Sequence, residues 1–234
     1  MTIDLAGSQI GPDIDRRCAV IATAASRGEE DPRDVLKLRG LRYKDTASLM
    51  AMAVSTQLLS DSALPDLKRA PERTAIVVGS NLCNVDTVSR VSRELAEGGV
   101  GATSPMDLPN ASPNVVASSV AILHRFSGPN LLVSGVACVE RAMQIARRLV
   151  AARRADHVLV IGVEPPTREA VQIGGERSGA LAVLIARESD LQRPAGFVDR
   201  HGFTPCIGVV DEKFAEVWTR LTSPAPRSFT GNRQ

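Results

Sequence analysis

The side chains in this 234-residue chain best suited to nucleophilic, proton-transfer or metal chemistry are four cysteines, Cys18, Cys83, Cys138 and Cys206, and three histidines, His124, His157 and His201. A thiol does covalent chemistry as its thiolate, so it needs surroundings that lower its pKa and a base or oxyanion donor within reach. Cys138 sits where that could be arranged, since the apolar run Leu131-Leu-Val133 gives way through Ser134-Gly-Val-Ala137 to a helical pattern. Its immediate surroundings pull the other way. Glu140 opposes a thiolate, with Arg141 a partial offset. Residues 138, 142, 145, 146 and 149 also share one helical side, where a free cysteine serves as a small buried hydrophobe. Both readings of Cys138, covalent nucleophile and inert packing, follow from the same stretch.

Metal and cofactor chemistry have little to work with. The cysteines are widely spaced with no CxxC pair, and the histidines show no ligand spacing among themselves or with the cysteines. Gly79-Ser80-Asn81 and Gly174-Gly175 complete neither GxGxxG nor GxxxxGK[ST], and read as tight-turn glycines. No metal and no cofactor is expected. A formal charge of +2 from 28 Lys+Arg and 26 Asp+Glu gives no field that calls for nucleic acid. The apolar runs Leu131–Val133 and Val158–Val163 fall far short of the roughly 20 residues of a membrane helix. No secretory signal is visible at Met1–Pro12, so a cytoplasmic location with free thiols is expected.

The elements that must position these residues alternate between β-rich runs and longer helical patterns, the signature of a layered α/β domain. Strands are expected at Cys18–Thr23, Thr74–Gly79, from Leu131, at Val158–Val163 and at Ser178–Ala186, with a further one at Gly196–His201. Asp45 is placed to cap a helix reaching Ala63, with Leu49, Met52, Ala53, Thr56, Leu59 and Ser60 on one side. Further helices are read around Val88–Glu97, from Pro113 toward His124, over Val139–Arg153 and over Asp211–Leu221. Glu29–Asp34 reads as a polar loop. Arg147, Arg148, Arg153 and Arg154 read as a solvated, cationic helix end. The domain is placed at residues 17–221, with an N-terminal extension at 1–16 and a disordered tail at 222–234.

Several stretches taken in order resemble the N-terminal half of the β-ketoacyl synthases, the condensing enzymes of fatty acid and polyketide synthesis. Leu41-Arg-Tyr-Lys-Asp-Thr-Ala-Ser-Leu-Met50 looks like that family's entry to its first long helix, and Arg73-Thr-Ala-Ile-Val-Val-Gly-Ser80 like its second strand. Ser104-Pro-Met-Asp-Leu-Pro-Asn110 resembles the loop that runs to the dimer interface and acyl tunnel. Gly128–Val133 with Val136-Ala-Cys138 looks like the strand and elbow of the nucleophile. Ala155-Asp156, Val160–Glu164 and Arg177–Leu184 resemble the strands that follow, so the likeness runs over roughly residues 17 to 203.

The resemblance implies a thiolase-like half-domain, a mixed sheet of about five strands flanked by helices. It implies an acyl pocket or interface formed by Met106, Leu108, Asn110, Val136 and Ala137, and Cys138 as the candidate catalytic thiol. The chain departs from the family in two ways. The second half of a complete condensing enzyme, with its active-site histidines, is not matched, and none of the three histidines here sits in a corresponding motif. The elbow is also out of register. Counted forward from Gly128-Pro129 the nucleophile's place falls on Ala137; counted back from Asp156 it falls on Val136. A lone half-domain is expected to leave an apolar sheet or helix side that must be buried, which implies a dimer with itself or with a full-length β-ketoacyl synthase subunit. The resemblance thus points to a non-catalytic partner similar to a chain length factor, working alongside an acyl carrier protein. The alternative is a stand-alone acyltransferase that loads an acyl group on Cys138.

Overall fold

The computed structural model describes residues 18–26, 30–60, 64–175, 178–187 and 218–219. Five strands, β1 (Cys18–Ser26), β2 (Thr74–Gly79), β3 (Asn130–Val133), β4 (His157–Glu164) and β5 (Gly179–Arg187), form one mixed sheet in the order β1-β5-β4-β2-β3. The three strands β4, β2 and β3 run parallel, while β5 is antiparallel to both β4 and β1. This is the expected α/β arrangement, a mixed five-stranded sheet between helices. The second strand begins and ends at the residues read from sequence. Gly196–His201 lies outside the described residues, as do residues 1–16 and 222–234; of Asp211–Leu221 only Trp218 and Thr219 are described, both helical.

Both sides of the sheet are covered, which is why the central strands read as continuous apolar runs. Alternate residues divide between two cores. Ile76, Val78, Leu159, Ile161, Ala182 and Leu184 face the side packed by helices α2 (Thr46–Leu59) and α4 (Val115–His124). Ala75, Val77, Val158, Val160, Val183 and Ile185 face the side packed by α5 (Cys138–Ala151). Removing one such Leu or Ile side chain from water contributes about 1.5–3 kcal/mol.

Helix α2 starts where its cap predicts. Asp45 Oδ1 accepts from Ser48 N at 2.7 Å and Oδ2 accepts from Ser48 Oγ at 2.6 Å. Asp86, in helix α3 (Val85–Gly98), accepts from Thr46 N at 3.0 Å and Thr46 Oγ1 at 2.7 Å, tying the two helix starts together. The single apolar side expected for α2 is not what the structure has. Ala47 through Ser55 are all buried, whereas Thr56 and Leu59 are half-buried and Ser60 is exposed. A helix enclosed all round has no stripe to read.

Two short helices lie where no period could show them. α1 (Pro32–Leu36), capped by Asp31 with Pro32 at its first position, begins inside the stretch read as a polar loop, and α6 (Arg168–Gln172) is capped by Thr167. Pro113 stands just outside α4, whose cap is Asn114. Of the arginines at and just beyond the end of α5, Arg148, Arg153 and Arg154 are exposed but Arg147 is only 4% exposed. It shares the inward side with Met143 and Val150, three or four residues away, so the expected solvated end begins one residue later.

His124 ends α4 in a hollow of about 400 Å³ lined also by Leu59, Leu67, Lys68 and Phe126. Its Nε2 is 2.9 Å from Ser55 Oγ. Burial, reinforced by Lys68, pushes the imidazole down to about 4. The folded state therefore favours the neutral ring. Its contribution is complete above the unfolded value of about 6.5 and is lost as pH falls toward 4. Between pH 7 and pH 5 the wild-type chain is expected to lose about 2 kcal/mol through this group. His124→Gln removes the titration and keeps a partner for Ser55, so the unfolding free energies from urea titrations at the two pH values should lie closer together by that amount. An unchanged difference contradicts the assignment.

Candidate functional site

The turn from β3 into α5 is tight and left-handed. Gly135 has φ +93° and Ala137 has φ +54°. The turn closes through Cys138 N donating to Gly135 O at 3.1 Å and Arg141 N donating to Ala137 O at 2.9 Å. A non-glycine residue held in this region is an uncommon, strained arrangement, of the kind that presents a side chain at the mouth of a strand-to-helix elbow. The residue presented is Ala137, with Val136 beside it at 91% exposure. Cys138 is the first residue of α5 and turns inward, only 6% exposed, into the core that holds Val77, Val139, Ala142 and Trp218.

Burial dominates the electrostatics of that thiol. Desolvation first, then the carboxylates of Glu164 and Glu140 and the nearby Cys83, push Cys138 up to about 12. The position at a helix start, which favours a thiolate, does not offset them. Cys83, in the loop after β2 and itself at φ +46°, is pushed up to about 11, chiefly by burial.

The elbow is seated on β2 through Gly79. A Cβ at that position would lie 2.7 Å from Cys138 O and 2.7 Å from Val139 Cα, both main-chain atoms. Gly79 is therefore a close-approach glycine in the middle of the sheet, paired with Val133 and Gly162, and not the turn glycine expected from sequence. Gly174, at φ +85°, does occupy a turn. The loop after β2 is held by Glu164 at the end of β4. Its Oε1 accepts from Asn81 N at 2.7 Å and its Oε2 from Leu82 N at 3.1 Å, with Ser80 Oγ at 3.5 Å.

The expected pocket residues fall in two neighbouring places. Val136, Ala137 and Cys138 line an open cleft of about 460 Å³ together with Leu82, Glu164 and Trp218. Met106 and Leu108 are more than half exposed on a separate loop and do not line it. Asn110 is buried: its Nδ2 donates to Met106 O at 2.8 Å, and its main-chain carbonyl accepts from Asn84 Nδ2 at 2.5 Å. Asp107 is buried beside Arg90 of α3, whose guanidinium holds the carboxyl below its ordinary value and pins the loop. Glu164, Gly162 and Trp218 were not singled out from sequence. The one signal was a glycine inside the otherwise apolar run Val158–Val163. Among the described residues no cluster of His, Cys, Asp or Glu could hold a metal ion, and no helix is long and apolar enough to cross a membrane.

Residues 30–203 match the sequence profile described as Beta-ketoacyl synthase, N-terminal domain. The chain belongs to the β-ketoacyl synthase family. Its curated relatives include the 3-oxoacyl-(acyl-carrier-protein) synthase 2 of Vibrio harveyi, 26% identical over 165 residues that cover 70% of this chain and 39% of that protein. The corresponding synthase of Vibrio cholerae is 25% identical over 177 residues, covering 74% and 42%. The chain thus spans about two fifths of the length of these synthases. Among solved structures, the ishigamide ketosynthase/chain length factor is similar with a TM-score of 0.65 at 20% identity, covering 76% of this chain and 64% of that one. A β-ketoacyl synthase from Burkholderia phymatum is similar with a TM-score of 0.61 at 14% identity, covering 74% and 59%. At these identities the structures establish a shared thiolase-like ketosynthase fold.

Proposed function

We propose that this β-ketoacyl synthase-type chain is a non-catalytic, chain-length-factor-like partner in fatty acid or polyketide assembly, pairing with a full condensing subunit and helping to form its acyl pocket. The observation that carries the reading is the elbow. The exposed, left-handed position holds Ala137, which has no nucleophilic atom, and the neighbouring thiol of Cys138 is buried and pushed up to about 12. An acyl group brought to this cleft finds no thiolate to accept it. The stand-alone acyltransferase reading needs Cys138 to reach solvent as a thiolate, and its burial weighs against that.

Three further features support a partner. β3 is an edge strand with a partly exposed Leu131, open to pairing on its outer side among the described residues. The outer side of α5 is polar, with Arg141, Gln144 and Arg148 exposed. Large exposed apolar residues include Val136, Met106 and Leu108, Ile122 of α4, and Val100, Val171 and Ile173 around the segments packed against α3. Similar solved structures include a ketosynthase with its chain length factor from Xenorhabdus doucetiae, with a TM-score of 0.54 at 16% identity. Another is an acyl-carrier protein in complex with its ketosynthase, with a TM-score of 0.59 at 15% identity. A carrier protein is accordingly the proposed donor to the paired assembly.

Co-expression with a full-length condensing subunit, followed by size-exclusion chromatography and product analysis, tests the proposal. Co-elution and a changed product chain length when this chain is omitted are expected. Separate elution with unchanged products overturns it.

A further inference from the structure

Trp218 is the chain's one tryptophan and is 3% exposed. Its ring lies against β4 where Gly162 leaves room. A Cβ at Gly162 would stand 3.0 Å from indole Cε3 and Cζ3 and 3.2 Å from Val139 Cγ1. Val139 belongs to the first turn of α5, directly after Cys138, so the indole is wedged between the middle strand of the sheet and the root of the elbow. It lines the same cleft as Ala137, Glu140 and Glu164. A glycine inside a strand otherwise built of Val, Ile and Leu costs packing and backbone entropy, and admitting the ring is what this one provides. Large aromatic rings with little exposure form the apolar walls of ligand clefts, and a few polar groups fix what enters. Here those groups include two carboxylates, which oppose a ligand bearing a free carboxylate and tolerate an uncharged thioester.

We infer that Trp218 closes the inner end of the elbow cleft and sets how long an uncharged acyl chain the cleft admits; this rests on the acyl-pocket reading above. Because the chain has no other tryptophan, its emission reports directly on entry to the cleft. The test titrates the full wild-type chain with the N-acetylcysteamine thioesters of hexanoate and dodecanoate, and with free hexanoate, following tryptophan emission. Calorimetry then measures the same thioesters on Trp218→Ala and Trp218→Phe.

A saturable emission change with hexanoyl thioester is expected, with no change from free hexanoate and at least tenfold weaker binding of the dodecanoyl thioester. Trp218→Ala should reduce that preference tenfold or more, and Trp218→Phe, which keeps an aromatic wall and protects against loss of folding, should retain most of it. No saturable change with either thioester, or a preference that Trp218→Ala leaves intact, overturns the inference. Should Trp218→Ala not fold, an unchanged preference in Trp218→Leu overturns it equally. These outcomes are separable from the partner reading: co-elution with a condensing subunit can persist while the emission stays silent, and the reverse.

Discussion

Ala137→Cys is expected to carry a far more reactive thiol than the buried Cys138. A thiol pushed up to about 12 is ionised to about one part in 100,000 at pH 7, whereas an exposed cysteine near 8.5 is ionised to a few per cent. Alkylation by iodoacetamide at neutral pH should therefore run about a thousandfold faster at residue 137 of Ala137→Cys than at Cys138, allowing for some slowing by Glu140. Ala137 already carries a Cβ at φ +54° and is exposed, so the added sulfur needs no rearrangement. Site-resolved peptide mass spectrometry separates both positions from Cys206, which lies outside the described residues. Rapid labelling of Cys138 in the unmodified chain contradicts the assigned geometry.

The second large effect is structural. Gly79→Ala drives a Cβ into two main-chain atoms of α5 at 2.7 Å, Cys138 O and Val139 Cα, neither of which can swing aside as a side-chain end would. Overpacking of this kind costs about 3 kcal/mol, and the only relief is to lift the elbow off β2. Gly101→Ala is the matched control, since a Cβ there meets nothing within 4 Å and φ is not positive. Its effect should stay within about 0.5 kcal/mol. Urea unfolding of the two variants measures the difference. Equal midpoints would mean that the elbow is not seated on Gly79.

The sheet was largely legible because its strands are buried on both sides. Val158–Val163 and Thr74–Gly79 are apolar runs of strand length, and the structure extends or matches each by a residue at most at either end. Asp45 was readable as a cap because a short acidic side chain before an apolar run has a local job. The five-residue helices at Pro32–Leu36 and Arg168–Gln172 were not, since they complete little more than one turn. Arg147 departs from the solvated end that its charge suggests, because 143, 147 and 150 mark an inward side of α5.

The site was legible only in outline. The strand-to-helix turn and its small residues stand in the sequence, but which of Val136, Ala137 and Cys138 occupies the apex depends on two backbone angles that residue types do not determine. Glu164 holding Asn81 and Leu82, and Trp218 lodged against Gly162, join residues more than fifty positions apart. No local period carries such pairings. The outer side of α5 is polar, and the exposed apolar residues of the candidate partner surface lie on the loops around α3, on α4 at Ile122 and at the β3 edge.

Where an acyl group comes to rest separates a non-catalytic partner from a nucleophile. Mixing this chain with a full-length condensing subunit and an acyl-loaded carrier protein, then recording the intact mass of each polypeptide, reads that directly. The expected result is an acyl adduct on the condensing subunit and none on this chain. An adduct on this chain that disappears in Cys138→Ala would contradict the proposed role and make Cys138 the nucleophile.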